Sequence, residues 1–497
     1  MELSQKYLAD VLGKDWQDEY YVWDCAAGTG NLLAGLTNKY NIWASTLDKA
    51  DVDVMKDRIR NGANLLEDHV FQFDFLNDDF DKLPTGLRDI INDENMRKKL
   101  VIYINPPYKE HGNKKIMKDD KARNISGVST SHKTHDDFQI LTGASVRELF
   151  AQFIIRAYKE IQGCKIANFA KLKALCASNF VKFRENFAAK LETLFIVPAD
   201  TFDNVDGDFP IGFHIWDTDK KEKFEKIKAD IYDKSGQKIG MKPVYCCDNK
   251  QKINKWAATF YDNQNERIGY IMCHSPDFQH SANVWISIEP EENTAKPITA
   301  SNLVPVSIYF AVRKVIPATW LNDRDQFFYP NNKWKKDIEF QNDCLAYTLF
   351  NNNISSKYGA NHWIPFLENE INARDKFDSH FMMSFISGKL IQNRYSNLFE
   401  QDEDKFFTKR EFSAEAKAVF DAGKKLWTYY HAQPKCNVNA SLYDIREYFQ
   451  GRNEKGKMNN KSSDETYNGL IANLRSALNT LADKIKPNIY EYGFLLK

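Results

Sequence analysis

Val101-Ile-Tyr-Ile-Asn105-Pro106-Pro107-Tyr108 sets a strand-forming run directly against two prolines. The β-branched and aromatic residues favour a strand. Proline cannot donate to a ladder and keeps the residue before it out of the helical region. A buried strand therefore ends at Asn105, and the chain leaves it in a stiff, extended turn. An amide, two exposed carbonyls and an aromatic ring are thereby held at the carboxyl edge of a sheet, where open α/β sheets bind ligands.

A second group precedes this one. Tyr20-Tyr-Val-Trp23 reads as a buried strand, followed by Asp24-Cys-Ala26-Ala-Gly28-Thr-Gly30-Asn31 and an apolar helix start. Gly28 and Gly30 permit positive φ and close backbone approach to a ligand. The stretch lacks the Gly-Lys-Ser/Thr of a phosphate loop and does not complete G-x-G-x-x-G, so neither nucleotide motif fits. Asp48 ends the next strand (41–47), 24 residues after Asp24, near the spacing at which an acid takes ribose hydroxyls. Val70-Phe-Gln-Phe73 ends at Asp74-Phe75 in the same way. Three acids and Asn-Pro-Pro-Tyr thus follow one another in the order and spacing of a single sheet.

These residues together resemble the gamma-type S-adenosylmethionine-dependent DNA adenine-N6 methyltransferases of restriction–modification systems. The resemblance covers roughly residues 20–216 and implies a Rossmann-like α/β fold, a seven-stranded sheet with a reversed edge strand. It implies S-adenosyl-L-methionine as cofactor, bound through Asp24, Ala26, Gly28, Gly30, Asn31, Asp48, Asp74 and Phe75. Catalysis falls to Asn105, Pro106, Pro107 and Tyr108, with Tyr108 and Phe202 stacking on a flipped-out base and no metal. Cys25 stands where the family usually has proline. Residues 1–19 also lack the family's Thr-Pro element, so either Leu3–Leu12 does its work or this chain is the downstream portion of a longer protein. The same tetrad serves enzymes that methylate protein glutamine or RNA, and a non-catalytic DNA-binding specificity subunit is a further alternative.

The organisation fits this reading. At 497 residues the chain exceeds one core, so two or three domains are expected. The expected division is a catalytic domain over 1–220, a DNA target-recognition domain over 240–400 and a helical region over 401–497. Strands five to seven are read at 165–170, 191–198 and 211–216, and the charged passage 217–242 as a helix-and-turn boundary. Residues 301–366 hold 13 aromatics together with Arg313, Lys314, Arg324, Lys333, Lys335 and Lys336. Tyr467, Leu470, Ile471, Leu474, Leu478, Leu481 and Ile485 mark one helical face.

Lys and Arg total 68 against 68 Asp and Glu, so any phosphate footprint is local rather than global. The two basic candidates are Lys109–Lys133 and Lys165–Lys190. The expected partner is double-stranded DNA, with a cognate restriction nuclease or an N-terminal portion outside this chain as further partners, and no membrane. None of the 8 cysteines falls in a C-x-x-C, which reads as cytosolic thiols rather than a zinc site or disulfide framework. The default compartment is the cytoplasm.

Overall fold

The computed structural model describes residues 2–108, 131–203, 205, 207–262, 266–290, 294–390 and 408–497. The chain divides into two compact units, Met1–Asn249 with Thr319–Arg324, and Lys250–Ala318 with Asp325–Lys497.

The first unit is built on a large, mostly parallel sheet. Its strands are β1 (Tyr21–Asp24), β2 (Ile42–Thr46), β3 (Val70–Gln72), β4 (Leu100–Ile104), β5 (Lys165–Lys171), β6 (Ala189–Pro198), β7 (Pro210–Lys221), β8 (Lys226–Tyr232) and β9 (Lys238–Tyr245). They lie in the order β3-β2-β1-β4-β5-β7-β6-β8-β9. β2 and β4 are buried at every position, as strands covered on both faces require. One core packs Leu8, Val22, Ala44, Val101, Tyr103, Ala167, Phe169, Phe195 and Phe213 together.

Two expectations for this sheet are corrected. Among the described residues it has nine strands, and the reversed strand β7 lies between β5 and β6, antiparallel to both, instead of at an edge. The added strands come from the passage read as a helix-and-turn boundary. Lys226-Ile-Lys-Ala-Asp-Ile-Tyr232 alternates, with Ala229 and Ile231 buried, and period two is strand geometry whatever the intervening charges. The Asp233 carboxylate accepts from the Ser235 and Gln237 N–H groups and closes the hairpin into β9. Thr319–Arg324 joins this unit through the Leu321 carbonyl, 2.7 Å from Lys242 Nζ.

Among the described residues of the second unit, the 301–366 aromatics and the C-terminal helices share one hydrophobic core. Phe350, for example, packs on Phe420 and Trp427. Helix Glu465–Glu491 buries Tyr467, Ile471, Leu474, Leu478, Leu481 and Ile485. A small sheet, β10 (Gly269–Met272) between β11 (Ile286–Ser287) and β12 (Ala295–Ile298), flanks this core. Among the described residues no helix is long and apolar enough to cross a membrane.

Candidate active site

The strand order reverses between β1 and β4, which are hydrogen-bonded in parallel with Trp23 opposite Ile102. That is the topological switch point, where the chain leaves neighbouring strands in opposite directions and opens a crevice at their carboxyl ends. The glycine turn follows β1 and Asn-Pro-Pro-Tyr follows β4. Asp48 follows β2, and Asp74 follows β3. The parallel pairing brings all four strand ends out at one edge.

Asp24 is 1% exposed at the end of β1, and its carboxylate accepts from Ala26 N–H at 3.1 Å. Burial pushes this carboxyl up to about 7, against the downward pull of that single hydrogen bond. Ala27 N–H donates to the Ser45 carbonyl and ties the turn to β2. Gly28 and Gly30 hold φ of +52° and +81°, where a side chain is strained. A Cβ on Gly28 would meet nothing within 4 Å, so the turn leaves open space there, whereas one on Gly30 would sit 3.2 Å from Met55. The Asn31 side chain stays within the loop, where Arg58 Nη1 donates to its Oδ1 at 2.6 Å and to the Thr29 carbonyl at 2.7 Å.

Asp48 is exposed just ahead of helix Lys49–Arg60, and its side chain makes no capping bond. Its carboxylate is therefore exposed and uncommitted to the helix. Asp74 differs. One oxygen accepts from Leu76 N–H at 3.0 Å and the other from Asn77 Nδ2 at 2.7 Å, closing its own turn. Phe75 is 2% exposed. Its ring stacks on Phe153 at 5.3 Å and meets Trp23 edge-on, beneath the Arg156 guanidinium. The fold brings Asp24, Gly28, Gly30, Asp48 and Asn105 to the crevice; it places the Phe75 ring in the core behind it.

In the tetrad, Pro106 is buried and Pro107 exposed. The Tyr108 hydroxyl donates to Asn105 Oδ1, and burial raises the phenol far above its ordinary range, so it stays protonated. Its ring meets Phe202 edge to face, centroids 6.2 Å apart, and Phe202 in turn meets Phe169 at 5.2 Å. Tyr108 and Phe202 are thus together, edge to face. An amide oxygen has two lone pairs, so Asn105 can accept a further hydrogen.

Some contributors carry no sequence signal of their own. Ser4, on α1 (Glu2–Leu12), hydrogen-bonds the buried Tyr103 hydroxyl at 2.6 Å, two residues before Asn105. Gln5 Nε2 donates to the Ala34 carbonyl beyond the glycine turn. α1 is thus tied to β4 and to the chain beyond the glycine turn. Lys171, at the end of β5, donates to the Tyr108 carbonyl at 2.8 Å. Its place at a strand end on the same edge was the available clue.

Lys165–Lys190 is not an open basic face. Lys165 pairs with Asp217, Lys171 and Lys173 with Glu148, Arg184 bidentately with Asp248, and Lys190 with Glu192. The greater part of Lys109–Lys133 lies outside the described residues. Among the described residues no group of His, Cys, Asp and Glu could hold a metal.

No protein-family model matches the chain, and no curated protein matches it. Among solved structures it is similar to the type IIG restriction endonuclease BpuSI, at 16% identity and a TM-score of 0.32 over 49% of this chain and 30% of that one. It is also similar to the methyltransferase subunit of a type I restriction–modification system from Streptococcus thermophilus, at 15% and 0.28 over 50% and 44%. A third is the DNA-bound type ISP restriction–modification enzyme LlaBIII, at 11% and 0.32 over 62% and 26%. In each case the match spans less than two thirds of the solved chain.

Proposed function

We propose that this chain is an S-adenosylmethionine-dependent methyltransferase acting on the exocyclic N6 of adenine flipped out of duplex DNA, as the modification activity of a restriction–modification system. The observation that carries the reading is the pairing, across the β1/β4 switch point, of a glycine turn containing open space with a strand that ends in Asn-Pro-Pro-Tyr.

The residues suit the chemistry. An exocyclic amino nitrogen is a poor nucleophile because its lone pair is delocalised into the base. Asn105 Oδ1 and the Pro106 carbonyl accept its two hydrogens and draw the lone pair out of conjugation. This is positioning and electrostatic stabilisation. Tyr108 turns from Asn105 to cover one face of the base, and Phe202 supports the other, because the target atom is out of reach inside the stack. Gly28, Gly30, Asp24 and Ala26 would cradle the methionine end of the cofactor, Asp48 the ribose and Asp74 the adenine. Asn31 and Phe75 would shape these loops from behind. When bound, the cofactor supplies an electrophilic sulfonium methyl group. The second unit, with exposed Lys333, Lys335 and Lys336, would select the site, since a pocket for one base has no means of reading its neighbours.

The test is methyl transfer from labelled cofactor to mixed plasmid DNA, followed by nucleoside analysis. Label in N6-methyladenine is the expected result. Label only in N4-methylcytosine overturns the choice of base, and label only in protein or RNA overturns the choice of substrate.

A further inference from the structure

Pro106 and Pro107 have no N–H, so the turn after β4 cannot fix itself by donating from these two positions. Its exit is held from outside. Lys171 Nζ donates to the Tyr108 carbonyl at 2.8 Å from the last position of β5, the strand paired alongside β4. Lys171 is only 9% exposed. An ammonium at that depth needs a counter-charge, and Glu148, 1% exposed, lies 3.5 Å away. The same carboxylate holds Lys173 at 2.5 Å. The Lys171 ammonium also lies 5.9 Å from the Phe209 ring centre. A buried lysine is thus fixed by the sheet on one side and grips the tetrad on the other.

The Tyr108 hydroxyl, meanwhile, donates to Asn105, and the ring meets Phe202 edge to face. We propose that Lys171 is a positioning residue: it pins the Tyr108 backbone to β5, so that the ring turns about its side-chain bonds while Asn105 and Pro106 keep their places. Glu148 keeps the ammonium in reach. The contact itself is independent of the reaction; its effect on rate rests on the methyl-transfer reading above.

The test compares wild type, Lys171→Met and Lys171→Arg in the full chain. Methionine keeps most of the side-chain length and removes donor and charge, and Lys173 still pairs with Glu148 in that variant. The first readout needs no DNA. In protein labelled with 3-fluorotyrosine, the ¹⁹F resonance of residue 108 is the one missing from Tyr108→Phe. Lys171→Met is expected to shift or broaden it, and Lys171→Arg to return it towards the wild-type position. The second readout is methylation: kcat falls about tenfold in Lys171→Met, as for one lost charge-assisted hydrogen bond, with KM for DNA and cofactor affinity within about twofold, and arginine restores part of the rate. An unmoved resonance, or an unchanged kcat beside a shifted one, overturns the positioning role. A shifted resonance in a chain that methylates no DNA supports the anchor and removes the methyl-transfer reading instead.

Discussion

Strands β3, β2, β1 and β4 of the first unit deliver Asp74, Asp48, Asp24 and Asn105 to one edge of a sheet. In the second unit, Phe310, Phe327, Trp334, Phe340, Phe350, Trp363 and Phe366 turn inward to make a core, and buried cations serve that core. Arg313 is fully buried and donates to the Ser275 and Asp277 carbonyls, each at 2.9 Å, while Lys314 donates to the Ser281 carbonyl. Both are committed to backbone carbonyls within the unit. The contrast teaches where chemistry can be read from a fold. A strand end has a fixed direction and gathers polar groups at one edge, whereas the direction of a charged side chain on a helix depends on packing that no local pattern reveals.

The comparison breaks most visibly if the two cores are not separate. Phe350 is 1% exposed and meets Phe366, Phe420 and Trp427. Phe350→Ala is expected to cost about 3–5 kcal/mol in calorimetric unfolding of the second unit, with S-adenosylhomocysteine binding unchanged. Loss of that binding would join the units energetically. Gly423 sharpens the same point. In an exposed mid-helix position Gly→Ala gains roughly 1 kcal/mol, but a Cβ here would run into the Phe350 ring. Gly423→Ala should therefore destabilise by about 1–3 kcal/mol through overpacking, and a raised melting temperature would refute the packing described.

Gly30→Ala probes the first unit. Its φ of +81° makes a side chain cost about 1–2 kcal/mol, and the Met55 contact adds to it. Cofactor affinity is expected to fall along with stability; a variant that binds as wild type would detach the turn from the site.

Acidity sets the two units against each other. Asp24 sits at about 7 in the fold against an ordinary 3.8, so its contribution is present below pH 4 and lost as pH rises through 7. His214 and His431, held neutral by burial at about 4, contribute above pH 6.5 and lose it as pH falls through 4. Between pH 6.5 and 4 the two shifts in the first unit oppose each other, whereas in the second His431 and His362 both bring a loss that the raised Asp343 carboxyl offsets only in part. On acidification the unfolding midpoint of the second unit should drop more than that of the first, and Asp24→Asn should remove the difference. Equal drops in the wild type would contradict the burial of Asp24.

Much of the first sheet was legible because each of its first four strands is an apolar run stopped by Asp, Asn or Gly, residues that change the backbone's options at once. β8 was missed because charges at alternate positions masked a period of two, and β9 because it buries only Val244 and so shows no apolar face. The anchors of the site were beyond local reading. Ser4 meets Tyr103 across 99 residues of chain and Lys171 meets Tyr108 across 63, and only the strand order brings such partners together. In the same way Lys165–Lys190 read as a basic run because its acids lie elsewhere in the sequence.

The central claim is that the amide at the end of β4 activates the accepting amino group while the neighbouring turn holds the cofactor independently. It is tested most directly by single-turnover methylation with Asn105→Ala, cofactor affinity being measured calorimetrically on the same preparation. The account predicts a rate about 10²–10³-fold lower, the cost of one lost transition-state hydrogen bond, with cofactor affinity unchanged. Wild-type transfer by the variant, or a loss of cofactor binding that accounts for the whole fall in rate, would contradict it.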